Sequence, residues 1–185
     1  MGRVPRGRAV LEQRQVQVAS FALDLRPVTN GEYRAYIQAT GQKGPPWLNQ
    51  AGFDAHEQPV VGVTYREALG YARWAGKRLP TEAEWLRSAR CQHSWDVPWG
   101  EMALDMGRCD YGAARRGAPL EVEPLARSLG CGPFGHHDLL GNVWEWCDGG
   151  VLRGGFWGAD APSLRQRLVE PHDRRSTGYG FRCAR

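Results

Sequence analysis

The chain repeats one helix-start signature three times within its first 85 residues. Thr29 is followed three positions on by Glu32, Thr64 by Glu67 and Thr81 by Glu84. In this arrangement the Thr hydroxyl accepts from the third amide of the helix while the Glu reaches back to the Thr amide. Tyr33, Tyr36 and Ile37 then give the first helix an apolar face, and Ala68, Tyr71, Ala72 and Ala75 give one to the second. Gly41 and Gly76 supply C-terminal stops. The third helix, Glu82 to Arg90, is short. Strand patterning precedes the helices at residues 16–25, where Phe21, Leu23 and Leu25 alternate. From Cys91 to His137 the prolines and glycines, among them Pro98, Gly100, Gly117, Pro119 and Pro133, forbid long regular elements. A loop region of that length in a compact domain is functional or needs a staple such as a metal ion. Strand-like runs return at Val143–Cys147, Val151–Arg153 and Gly180–Ala184. This order predicts an α+β domain with two main helices, antiparallel strands and many loops.

At 185 residues the chain suits one domain, with residues 1–14 as an N-terminal extension to a domain spanning 15–185. Its 24 glycines and eight tryptophans favour a loop-rich fold with aromatic anchors over a helical bundle. Trp74, Trp85, Trp99, Trp144 and Trp146 are expected in the core. Cations are almost all Arg, with Lys only at Lys43 and Lys77. Arg3, Arg6 and Arg8 can be read as a nucleic-acid contact or as a solvated, frayed terminus. No basic helix or stacking platform accompanies them, so nucleic acid is disfavoured. No apolar run is long enough for a signal h-region or a membrane span, so the expectation is a cytoplasmic protein without membrane insertion. The five cysteines form no CxxC pair, which argues against a cysteine zinc site and for reduced thiols. Cys147 and Cys183 sit on late strands where pairing stays open.

Several motifs occur in order: Pro27-Val28-Thr29-Asn30, Pro59-Val60-Val61-Gly62-Val63-Thr64, Gly76-Lys77-Arg78-Leu79-Pro80-Thr81-Glu82-Ala83-Glu84-Trp85 and Pro98-Trp99-Gly100. They continue with Asp138-Leu139-Leu140-Gly141-Asn142-Val143-Trp144-Glu145-Trp146, Val151-Leu152-Arg153-Gly154-Gly155 and Gly180-Phe181-Arg182. As a set they resemble the formylglycine-generating-enzyme, or sulfatase-modifying-factor, superfamily, from about residue 15 to the end. The resemblance implies a C-type-lectin-like fold, often built around calcium. Enzymes of that family hold copper(I) on two cysteines, for which soft thiolates are the right ligands. Here the two places hold Ala159 and Leu164, and no cysteine lies between Cys147 and Cys183. Copper and oxidase chemistry are therefore not expected. A second enzymatic branch, the iron-dependent sulfoxide synthases, uses an added helical domain bearing histidines. A shared region starting near residue 15 leaves no room for one.

Calcium is the cofactor that the resemblance does imply. Asp138 and Glu145 can hold it with the carbonyls of Gly141 and Val143, since hard cations take oxygen ligands. The other reading is that these carboxylates cap turns and pair with Arg. Asp110 resembles a ligand of a second family site. The closing run Gly180-Phe181-Arg182-Cys183-Ala184-Arg185 is similar to the tail of diversity-generating-retroelement variable proteins, in which adenines of a template copy are randomised. An Asn codon so treated can yield the residue types found at Phe156, Gly158, Asp160, Ser163, His172, Asp173, Ser176, Thr177 and Tyr179. It cannot yield Trp157, Gln166 or Glu170, which must then be scaffold. The resemblance implies a non-catalytic protein whose 156–179 face binds a protein or other macromolecule, with Phe156 and Tyr179 as exposed aromatic anchors. The alternatives are a divergent oxidase and a scaffold domain with a fixed partner.

Overall fold

A computed structural model of the chain describes residues 1–105, 108–109, 111 and 130–185. All three capping boxes form, on α1 (Asn30–Thr40), α2 (Tyr65–Trp74) and α3 (Glu82–Arg90). At each start the Glu side chain accepts from the Thr backbone amide at 2.8–2.9 Å. Gly41 ends α1 in the left-handed conformation that glycine adopts without penalty. Tyr33 of α1 stacks on Tyr71 of α2 at 5.6 Å between ring centroids. Around that pair a core gathers Tyr36, Trp146, Leu152 and Phe181. A second core under α3 holds Trp85, Leu86, Leu139, Leu140 and Leu164.

Among the described residues the strands form three small sheets. β1 (Gly2–Val4) pairs with β4 (Phe21–Leu23), and β2 (Gly7–Leu11) forms a hairpin with β3 (Arg14–Val18). The third sheet runs in the order β7-β6-β5-β8, with β5 Trp144–Cys147, β6 Val151–Arg153, β7 Leu168–Val169 and β8 Tyr179–Gly180.

The structure corrects several sequence expectations. The strand expected over 16–25 breaks at Ala19-Ser20 into the ends of two sheets. The run Gly180–Ala184 is a strand only at its start, and there it pairs with β5 in parallel, not antiparallel. Its far end instead bridges two elements at once, Ala184 against both Leu23 and Arg78. The basic terminus is not frayed. Val4 and Ala9 are fully buried, and α3 clamps the hairpin through its arginines. Arg87 donates to the carbonyl of Arg8 at 3.3 Å and Arg90 to that of Val10 at 2.8 Å. A division of the chain at residue 15 runs through this hairpin. Of the tryptophans expected in the core, Trp85 and Trp146 are fully buried, Trp99 and Trp144 are half-buried and Trp74 is exposed. Trp74 lies at the end of α2, where its ring covers Tyr36 and Tyr71 from outside. Cys147 and Cys183 are both buried thiols and are not joined to each other. No helix among the described residues is long and apolar enough to cross a membrane.

Candidate functional site

Two neighbouring regions carry the chemistry that the sequence singles out. The first is the turn before β5. Asp138, Gly141 and Asn142 all have positive φ, so the chain coils tightly and delivers Glu145 into the interior. One carboxylate oxygen of Glu145 accepts from Arg182 Nη2 at 2.7 Å; the other accepts from Arg182 Nε and from Trp85 Nε1, each at 2.7 Å. The guanidinium also donates to the carbonyls of His137 (2.7 Å) and Asp138 (3.2 Å) through Nη2 and to those of Asp24 and Leu25 through Nη1. Arg182 and Glu145 are both fully buried.

The charge opposite Glu145 is thus a guanidinium of the chain itself. Asp138, Gly141 and Val143 lie in the turn and Glu145 just after it on β5, but the Glu145 carboxylate is already bound by three N–H groups. As an oxygen cage they do not fit a calcium ion, which needs carboxylate oxygens free to coordinate. Asp110 lies outside the described residues. His136, buried beside this network, is held neutral: its pKa is pushed down to about 4, first by burial and then by the charge of Arg182.

The second region is the 156–179 segment. Gly154 and Gly155 both have positive φ and turn the chain out of β6. Gly154 has φ +103°, a conformation that side-chain-bearing residues rarely adopt, and a Cβ there would also sit 3.2 Å from the carbonyl oxygen of Leu139. The segment is pinned from below. Trp157 is buried, its amide donating to Asn142 and its indole to the Thr177 carbonyl. Arg175 grips Glu67 of α2 with two contacts of 2.6 Å and also donates to the Gly62 carbonyl at 2.7 Å. Tyr179 is buried too, which corrects its reading as an exposed anchor. It packs edge-on against Trp146, and its hydroxyl donates to Glu170 at 2.9 Å. Burial, then Glu170, pushes its phenol up to about 12.

The remaining residues of the expected face divide into patches. Asp160, His172 and Asp173 are exposed; Phe156, Gly158, Ser163, Ser176 and Thr177 are half-buried. Phe156 lies edge-on to Trp157, against Gly158 and Gly178. A Cβ at Gly158 would come within 2.6 Å of the Phe156 ring. His172 packs on Tyr65 of α2, with ring centroids 4.4 Å apart. Ser163 donates to Asp96 at 3.0 Å, across from the Phe156 patch in sequence terms and beside Arg165, which also contacts Asp96.

Where the copper-binding family members need thiolates, Leu164 is fully buried among Trp85, Leu86 and Leu139, and Ala159 sits in the turn closed by its amide on the Phe156 carbonyl. The nearest thiol in that core is Cys147. It is fully buried, and its pKa is raised well above the thiol range by burial, with Glu145 adding to the effect. Such a thiol stays protonated and is a poor metal ligand. Sequence reasoning missed two adjoining cavities, of about 400 and 560 Å³, which share Ser94 and Arg165. The arginines of the larger one, Arg90, Arg153, Arg165 and Arg167, are scattered along the sequence and read equally well as surface charges.

Comparison with known proteins places these features. Chlamydia caviae serine/threonine-protein kinase pkn1 is 30% identical over 222 residues, a match covering 92% of this chain and 34% of that protein. Hercynine oxygenase of Mycolicibacterium smegmatis is 30% identical over 208 residues, covering 92% and 46%. The chain thus spans less than half the length of these two relatives. Inactive C-alpha-formylglycine-generating enzyme 2 of Bos taurus is 28% identical, with 92% of this chain and 79% of that protein covered. Among solved structures, PvdO from Pseudomonas aeruginosa superposes with a TM-score of 0.75 at 24% identity, covering 98% of this chain and 92% of that one. Treponema denticola variable protein 1 gives 0.74 at 18% identity, covering 100% and 94%. At those identities the likeness establishes the fold, as expected from the motifs. The model for the sulfatase-modifying factor enzyme 1-like domain matches residues 2–185, and the chain belongs to that family.

Proposed function

We propose that this chain is a non-catalytic binding domain that presents its 156–179 surface to a protein or other macromolecular ligand, in the manner of a retroelement variable protein. The observation that carries this reading is the contrast within one segment. Residues of types that adenine randomisation can produce, Phe156, Gly158, Asp160, Ser163, His172, Asp173, Ser176 and Thr177, are exposed or half-buried. Of the three residues it cannot produce, Trp157 is buried and holds the loop to the core, Glu170 is half-buried and accepts from the Tyr179 hydroxyl, and Gln166, though exposed, accepts from the Ser163 amide and donates to the Ala161 carbonyl. A position open to many side chains cannot lie in a close-packed core, where losing a large group costs about 2–5 kcal/mol. Tyr179 does not belong with the variable set, because it is part of the aromatic core. The fold shared with Treponema denticola variable protein 1 supports the same reading.

Leu164 and Ala159 supply no thiolate, so the domain is not an oxidase of the copper type. Mass spectrometry tests this point: a Cys-containing sulfatase peptide incubated with the protein, copper(I) and oxygen keeps its mass. The variable-surface reading is tested by sequencing the genomic neighbourhood. A reverse transcriptase beside a template copy of the 3′ coding region, differing only at adenines, supports it. Identical sequence at the codons for Phe156 to Thr177 across many isolates overturns it in favour of a fixed partner.

A further inference from the structure

The 560 Å³ cavity lies between the β2–β3 hairpin, the end of α3 and the 165–167 segment, and four arginines line it: Arg90, Arg153, Arg165 and Arg167. Three carboxylates answer them. Glu82 is shared by Arg153 and Arg167, Asp96 pairs with Arg165, and Glu12 stands 3.7 Å from Arg167. Arg90 has no carboxylate partner among the described residues. It is only 5% exposed, and its donors reach two backbone carbonyls, Val10 at 2.8 Å and Trp95 at 3.4 Å, while its Nε finds no acceptor. A buried guanidinium left without a counter-charge is costly to keep. Burial, followed by repulsion from Arg153 and Arg165, pushes the Arg90 pKa down to about 10, which records the same excess of positive potential.

We propose that this cavity binds a small molecule through a phosphate or sulfate group, with Arg90, Arg165 and Arg167 as its contacts. Guanidinium forks match such oxyanions in geometry and stay charged at working pH. Arg90 comes from α3 and Arg165 and Arg167 from a segment 75 residues further on, so the site joins two separate parts of the chain. A tetrahedral oxyanion has enough oxygens to serve all three, whereas a carboxylate has two. Arg165 and Arg167 have side chains 65% and 36% exposed, so they can turn toward an entering ligand. Release of Arg165 toward an anion leaves the exposed Asp96 in water, and release of Arg167 leaves Glu82 still paired with Arg153. The volume lies in the range of small-molecule sites and exceeds what a lone anion fills. Val10 supplies an apolar wall for the rest of the ligand. The proposal does not rest on the variable-surface reading.

The test is isothermal titration at constant ionic strength with inorganic phosphate, phenyl phosphate and benzoate. Saturable binding of phenyl phosphate, about tenfold tighter than benzoate, is expected. Binding of inorganic phosphate as well shows that the anion alone suffices; binding of the ester alone shows that the organic part is required. Both support the site. Arg90→Gln should abolish binding. Because Arg90 also holds the hairpin, the exposed pair Arg165→Gln with Arg167→Gln provides the second reading, and it should fold normally and bind at least about tenfold more weakly. No saturable heat, equal affinity for phenyl phosphate and benzoate, or unchanged binding in the exposed double variant would overturn the proposal.

Discussion

The turn before β5 and the 156–179 segment are neighbours in space and opposites in construction. In the first, Glu145, Arg182 and Trp85 leave no donor or acceptor of the network idle, and the residues are buried completely. In the second, a few buried anchors (Trp157, Leu164 and Tyr179) fix the path of the backbone, and most side chains between them reach solvent. The lesson is that the fold concentrates its specificity in one polar knot and thereby releases the adjoining loop from structural duty. If this is right, substitutions should fall into two energetic classes separated by several kcal/mol.

The largest effect should come from cutting the knot. Glu145→Ala leaves Arg182 buried without its counter-charge and should cost about 3–5 kcal/mol. Glu145→Leu combined with Arg182→Met removes both charges and should recover most of that loss. Urea denaturation measures each. A small loss in the single variant would mean that the knot is not where the fold is held. A melting temperature that falls on adding a chelator in the native protein but not in Glu145→Ala would show a metal ion sharing Glu145, and so would break the comparison from the other side.

A change of pH reaches the same region more gently. His136 titrates near 6.5 in the unfolded chain but only near 4 when folded. Between those values the unfolded state holds the extra proton. Stability is therefore fully present above about pH 6.5 and declines as pH falls toward 4, by up to about 3 kcal/mol. His136→Phe should flatten the acid limb of the stability profile between pH 6.5 and 4. A profile unchanged by that substitution would remove His136 from the account.

The third prediction concerns the seam between the regions. Gly158 leaves the space that the Phe156 ring fills. Gly158→Ala should therefore destabilise the protein when Phe156 is present and do little when it is Ala. A double-mutant cycle should give a coupling of about 1 kcal/mol. Additive effects would show that the ring moves aside freely.

How much of this was legible in the sequence follows the same division. The helix starts were readable because a capping box is local: Thr29, Thr64 and Thr81 need only the Glu three residues on. The parallel pairing of β8 with β5 was not, since it joins residues 35 apart (Trp144 with Tyr179) and leaves no mark on either run. The pairing of Glu145 was hidden for the same reason. The motif around Glu145 shows its carboxylates but not that Arg182, from the far end of the chain, arrives to neutralise one of them. Tyr179 was misplaced because a permitted residue type says nothing about burial. The basic terminus was read as frayed because α3, whose Arg87 and Arg90 grip it, lies some 80 residues away.

The smallest effect should be at the surface itself, and it is the most informative. Asp160, His172 and Asp173 are exposed, and only His172 makes a ring contact, with Tyr65. Exposed substitutions away from caps, cores and ion pairs usually change stability by no more than about 0.5 kcal/mol each. Changing all three to Ala should therefore leave the urea midpoint nearly where it was and the m-value unchanged. The anchors beneath them should behave otherwise. Trp157→Ala removes a buried ring together with its hydrogen bond to Thr177, and should cost about 3–5 kcal/mol. The two measurements together separate a displayed surface from a merely exposed one. If the triple variant unfolds as readily as Trp157→Ala, the loop carries structural load and a fixed partner becomes the better reading. If it holds its midpoint, the segment is free to vary, because the energy that shapes it comes from residues underneath.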